Sequence, residues 1–119
     1  MDEIFEEGNA LYEKRDYKNA IKKYREISID SEFYRAAVYN IGTCYVKLKQ
    51  YDKALESLKS AYILKQDNKA AFNLGYAYLK TGDKKKALMY FNTAWALDND
   101  DEDAEKAVKA MLREVKKIN

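Results

Sequence analysis

The sequence contains no proline and no histidine, only one cysteine, and just four glycines in 119 residues. Without proline, no position loses its backbone donor or clashes with the preceding turn, so long helices can run unbroken. Without histidine, the commonest metal ligand and the commonest general base are both missing. Cys44 has no partner for an internal disulfide, which suits a reducing compartment. There is no charged-then-apolar leader, and no apolar run approaches the roughly 18 residues that a membrane-spanning helix needs. The expectation is a cytoplasmic protein with no membrane partner. Charge of one sign is also lacking, since 22 basic and 20 acidic side chains leave a net charge of +2. That is too little positive charge to grip phosphate backbones, and nucleic acid is not expected as a partner.

Enzyme chemistry is equally scarce. No nucleophile sits beside a base, no glycine-rich phosphate loop occurs and no zinc ligand set exists, so the reading is no catalysis, no cofactor and no metal. The acidic run Asp98, Asp100, Asp101, Glu102 and Asp103 lacks the glycine and the spaced terminal glutamate of a calcium loop. It reads better as a cap on the following helix, where carboxylates complement the dipole and the free amides. Lys84, Lys85 and Lys86 form a basic run that reads as a solvated outer face.

What is present is a register. Gly8, Gly42 and Gly75 are separated by 34 and 33 residues, and each is followed twelve residues later by an alanine, Ala20, Ala54 or Ala87. Four residues beyond each alanine stands a large side chain, Tyr24, Leu58 or Phe91, and three beyond each glycine comes Leu11, Tyr45 or Tyr78. Glycine inside a helix costs about 1 kcal/mol relative to alanine, so one per period implies close helix packing. The alanines are read as complementary small positions facing those glycines, with the large side chains filling the wedge beside them. First helices are predicted over about 2–14, 35–48 and 68–81, and second helices over about 17–30, 51–64 and 84–97. Arg15-Asp16, Lys49-Gln50 and Gly82-Asp83 are the turns within the pairs, the last with a glycine suited to a left-handed helix end.

This period and these landmarks resemble the tetratricopeptide repeat family, over essentially the whole chain. The resemblance implies an all-α fold: one domain, 1–119, built as a right-handed superhelical stack of three antiparallel helix pairs. The repeats fall at about 1–34, 35–67 and 68–101. Ala104, Ala107, Val108, Met111, Leu112, Val115 and Ile118 recur at helical spacing, so residues of about 102–118 are predicted as an amphipathic capping helix. Glu7 replaces the aliphatic residue found before the other two glycines, as a polar outer face on the first repeat requires. Cys44 is expected to be a small buried side chain and Trp95 to pack under the closing helix.

In such a stack the first helices line a concave groove. Three- and four-residue steps place Asp2, Phe5, Glu6, Asn9, Tyr12 and Glu13 on that face in the first repeat. Tyr39, Asn40, Thr43 and Lys47 follow in the second, and Lys69, Phe72, Asn73, Tyr76 and Lys80 in the third, with Lys106 and Arg113 available from the closing helix. Carboxamides can donate to and accept from a peptide backbone, aromatics supply pockets, and lysines neutralise carboxylates. The expected function is therefore a protein-interaction module holding a peptide or helical segment of a partner. The alternative is a self-associating assembly protein, a homo-oligomer built through the same aromatics. Some tetratricopeptide domains clamp the acidic C-terminal tails of chaperones, and Asn9, Asn40 and Lys69 match three of the five clamp residues. Phe5 and Asn73 occupy the other two positions, which leaves one of the three cations.

Overall fold

The structure, a computed structural model, describes the backbone of residues 2–118 and the side chains of residues 2–114. Within them the chain is all helix: α1 Glu3–Glu13, α2 Tyr17–Arg25, α3 Tyr34–Lys47, α4 Tyr51–Leu64, α5 Asn68–Thr81, α6 Lys84–Leu97 and α7 Glu102–Ile118. They form two compact units, Met1–Lys65 and Gln66–Asn119. In the first, α1 packs on α2, α2 on α3 and α3 on α4; in the second, α5 packs on α6 and α6 on α7.

Aspartates start five of the helices. Asp2, Asp16, Asp67, Asp83 and Asp101 each accept a hydrogen bond from the amide three residues on, at 2.9–3.4 Å. Each satisfies a donor that the first turn would otherwise leave unpaired, an arrangement worth about 1 kcal/mol per helix. The acidic run is thus a helix start as expected: Asp101 caps α7 and also accepts from Asn68 at 3.2 Å, joining the beginnings of α7 and α5.

The helix pairs turn on one repeated device. Asp16, Gln50 and Asp83 each donate a backbone hydrogen bond to the carbonyl five residues back, at 2.9 Å, and the residue before each has a left-handed backbone. That residue is Gly82 (φ 92°), but also Arg15 (φ 64°) and Lys49 (φ 60°). The sequence exposed only the glycine; the hydrogen-bond pair that closes the helix end imposes the same conformation on two side-chain-bearing residues.

The glycines sit where close packing was expected, and the large side chain of the second helix comes nearest to each. A Cβ on Gly8 would come within 2.6 Å of the Tyr24 ring, on Gly42 within 2.7 Å of Leu58, and on Gly75 within 2.7 Å of the Phe91 ring. Each glycine admits the large side chain of the second helix, which is why Tyr24, Leu58 and Phe91 are at most 2% exposed. Each such burial stabilises by about 1.5–3 kcal/mol. The alanines Ala20, Ala54 and Ala87 are fully buried, as are Ala61 and Ala94.

Two expectations need correction. The second helix of the first repeat ends at Arg25, not near residue 30. Beyond it the Ser28 and Ser31 hydroxyls accept from the amides of Asp30 and Phe33, and Ser31 donates its own amide to the Ser28 carbonyl. These local bonds compete with the helical ladder and win. In α7, Ala104, Val108 and Met111 are buried, but Leu112 is 46% exposed, because it falls at the edge of a stripe one turn after Val108. The expected contributions of Val115 and Ile118 lie outside the described side chains.

Candidate functional site

In the first unit, a residue of α2 reaches the exposed face of α1. The Tyr24 hydroxyl donates to Asn9 Oδ1 at 2.6 Å. Burial pushes the Tyr24 phenol up to about 12, nearby Cys44 adds to the shift, and the neighbouring Asn40 side chain opposes it. The bond from Tyr24 fixes the Asn9 carboxamide: with its oxygen taken, Asn9 has its amide hydrogens left for a ligand.

Around this bond lie half-buried aromatics. Phe5 stacks on Phe33 with ring centroids 5.0 Å apart and tilts against Tyr24 at 5.8 Å. Tyr12 meets Tyr17 edge-on at 5.3 Å. The Tyr39 ring lies beneath the Arg35 guanidinium at 5.4 Å, and that guanidinium also donates to the Lys65 carbonyl at the end of α4. The Thr43 hydroxyl donates to the Asn40 backbone carbonyl at 2.9 Å, so it serves its own helix. Lys47 is exposed at the end of α3.

The second unit arranges the corresponding positions differently. Asn73 Nδ2 donates to the Lys69 carbonyl on its own helix at 3.0 Å, and Phe91 stands where Tyr24 stands in the first unit, packed against Phe72 at 5.2 Å but bearing no hydroxyl. Lys80 places its ammonium 5.5 Å from the Tyr76 ring, and Lys69 is exposed. The first unit therefore fixes its Asn9 carboxamide from a second helix, whereas in the second unit Asn73 donates to its own helix backbone.

Tyr24 and Phe33 were missing from the expected site. Tyr24 was legible only as a packing wedge, although it alone among Tyr24, Leu58 and Phe91 carries a hydroxyl that needs a partner when buried. Phe33 sits in the turn before α3, where helical spacing gives it no face. Cys44 is fully buried, as expected, and burial lifts its thiol to about 12, which leaves it protonated and unreactive at neutral pH. Lys84, Lys85 and Lys86 are all exposed, Lys84 within 3.7 Å of Glu114 and Lys86 5.4 Å from the Tyr78 ring. Among the described residues no helix is long and apolar enough to cross a membrane.

Helix pairs recurring at a near-constant interval, each closed by a glycine receiving a large side chain, define a helical-repeat protein. The chain belongs to the tetratricopeptide repeat family: a model of that family matches residues 5–69, and a second matches residues 69–101. It is similar to human mitochondrial import receptor subunit TOM34, 42% identical over 64 residues, which is 54% of this chain and 20% of that protein. Mouse sperm-associated antigen 1 is 39% identical over 68 residues, 56% of this chain and 7% of the relative. The matched segment is thus a fifth or less of these curated relatives. Among solved structures, the first tetratricopeptide domain of Spaghetti (RPAP3), bound to an HSP90 peptide, has a TM-score of 0.85 at 20% identity, covering 94% of this chain and 90% of that one. The Sgt2 domain from Aspergillus fumigatus has a TM-score of 0.85 at 21% identity, covering 99% and 80% respectively.

Proposed function

We propose that this chain is a protein-interaction module, not an enzyme, that works in the cytoplasm and holds an extended or helical segment of a partner protein on the exposed faces of its first helices. In the first unit the contact surface is Phe5, Asn9, Tyr12, Tyr39, Asn40, Thr43 and Lys47. In the second it is the α5 face bearing Lys69, Phe72, Asn73, Tyr76 and Lys80. The observation that carries the reading is the Asn9 carboxamide held by the Tyr24 hydroxyl, because a fixed amide donor matches the carbonyl of a peptide main chain. Half-buried aromatic rings flanking it offer apolar contact for side chains. The structural likeness to a domain that carries a bound peptide supports the same role here.

The test is selection from a displayed library of random 12-residue peptides. The wild-type chain is expected to enrich binders, and the double variant Asn9→Ala, Asn40→Ala to lose at least about tenfold in affinity for them, while helicity by circular dichroism is unchanged. Equal affinity in wild type and variant rejects the assigned face. Enrichment of nothing, together with concentration-dependent dimerisation in sedimentation velocity, would favour self-association as the role of these aromatics.

A further inference from the structure

Two pairs of rings flank the fixed amide of the first unit. Phe5, one turn before Asn9 on α1, stacks on Phe33 at 5.0 Å and tilts against the Tyr24 ring at 5.8 Å. Tyr12, one turn after Asn9, meets Tyr17 edge-on at 5.3 Å, and after burial and Cys44 its phenol also helps to raise that of Tyr24. Both pairs are half-buried, so each keeps ring surface open to solvent. Phe5 and Tyr12 are seven residues apart, which puts them on one face of the helix and about 10.5 Å apart along its axis. A ligand lying along α1 meets a ring, a donor and a ring in that order. A β-strand brings side chains to one side every two residues, about 6.7 Å, or every four, about 13 Å, and misses one ring with either step. A polyproline II segment turns once in three residues and rises about 9.3 Å, so it sets two side chains over both rings. The charged groups nearby carry both signs, Glu6 and Glu13 on α1 and Lys22 and Lys23 on α2, and select no charged ligand.

We infer that the first unit is specific for a proline-rich segment in the polyproline II conformation, with prolines three residues apart on the Phe5–Phe33 and Tyr12–Tyr17 rings and a main-chain carbonyl between them on the Asn9 amide. The inference rests on the interaction role proposed above and adds the chemistry of the partner. Polyproline II has no internal hydrogen bonds, so its carbonyls are free to accept, whereas those in the middle of a helix are already taken. Proline has no backbone N–H, and Tyr24 leaves Asn9 with donors alone, so such a segment brings no donor that would go unmatched beside it. Pyrrolidine faces lie against the rings, and a segment already extended loses little conformational entropy on binding. The chain itself contains no proline, so the segment belongs to another protein and not to a second copy.

The test titrates the full chain against immobilised libraries of roughly 12-residue peptides, with two positions fixed as proline two, three or four residues apart, or as alanine at the same positions, and every other position random but free of proline. The library with prolines three apart is expected to bind about fivefold more tightly than its alanine counterpart and than either other spacing. Asn9→Asp keeps the oxygen that accepts from Tyr24 but has no amide hydrogens; with helicity unchanged by circular dichroism, it is expected to lose that margin for the proline library. Tyr12→Ala is expected to retain binding but lose the dependence on spacing. Alanine libraries that bind as tightly, a spacing that makes no difference in the wild type, or a preference that survives in both variants overturns the inference and leaves the interaction role standing. Absence of binding to every library overturns both.

Discussion

The Tyr24 hydroxyl donates to Asn9 Oδ1 across 2.6 Å, from the middle of α2 to the exposed face of α1. A buried ring therefore controls a surface amide. Replacing Tyr24 by phenylalanine keeps the ring against Gly8 but frees the Asn9 carboxamide to rotate, so its amide donor is no longer fixed. Phe91 shows that a phenyl ring alone fills the equivalent wedge in the second unit. The Tyr24→Phe variant is expected to lose about 1 kcal/mol of stability, the net worth of a typical hydrogen bond, and about fivefold or more in affinity for selected peptides. Urea denaturation and fluorescence-polarisation titration measure the two. An affinity unchanged from wild type would show that the amide does not need the hydroxyl.

The contact between Gly75 and Phe91 sets the spacing of α5 and α6. A Cβ there would lie 2.7 Å from the ring, and Phe91 is 2% exposed with no open space to swing into. Gly75→Ala gains about 1 kcal/mol of helix propensity but forces overpacking that costs about 1–3 kcal/mol. The net expectation is destabilisation by up to about 2 kcal/mol, read as a lower urea midpoint with an unchanged slope. Gly42→Ala meets the branched end of Leu58, which can shift more readily than a ring, and is expected to cost less. Equal losses at the two positions would mean that the ring contact is not the constraint.

The three left-handed turns separate backbone from side-chain effects. Nothing lies within 4 Å of a Cβ placed on Gly82, so the only obstacle to a side chain is its φ of 92°. Gly82→Ala is expected to destabilise by about 1 kcal/mol through that conformation alone. Lys49 accepts the same strain at φ 60°, and Lys49→Gly is expected to relieve it and stabilise the chain by a few tenths to about 1 kcal/mol, the larger freedom of glycine in the unfolded chain offsetting part of the gain. Thermal denaturation of both variants gives the signs. A destabilised Lys49→Gly would place the strain elsewhere.

Repetition made the fold legible, because Gly8, Gly42 and Gly75 each precede a large residue by sixteen positions and so mark every helix pair at once. The predicted bounds of α4, α5 and α6 coincide with those observed, since each pair is closed by short polar turns of constant length. What periodicity could not reveal was local competition: serines at 28 and 31 end α2 early, and in the lengthened turn Phe33 stacks on Phe5. The site was half legible for a related reason. Spacing along one helix places Asn9 on an exposed face, but what fixes it comes from another helix, and only tertiary packing brings the Tyr24 hydroxyl to it.

Alkali should probe the same interior. Burial raises the Cys44 thiol from 9.0 to about 12, and the Tyr24 phenol from 10.0 to about 12. Both groups are neutral when protonated, so in the window between the unfolded and folded values the native chain retains protons that the unfolded chain has lost. Their contribution to stability is complete below pH 9, and is lost as pH rises toward 12, by up to about 1.4 kcal/mol per pH unit for each group. The variant Cys44→Ala removes one of the two. Ala77 holds the same repeat position in α5 with no exposed surface, so the substitution is tolerated locally and costs about 1–2 kcal/mol at neutral pH from the lost sulfur. Between pH 9 and 11 its urea midpoint should then fall less steeply than that of the wild type. Parallel declines would mean that the thiol ionises as readily in the folded chain as in the unfolded one, and that the centre of α3 is open to solvent.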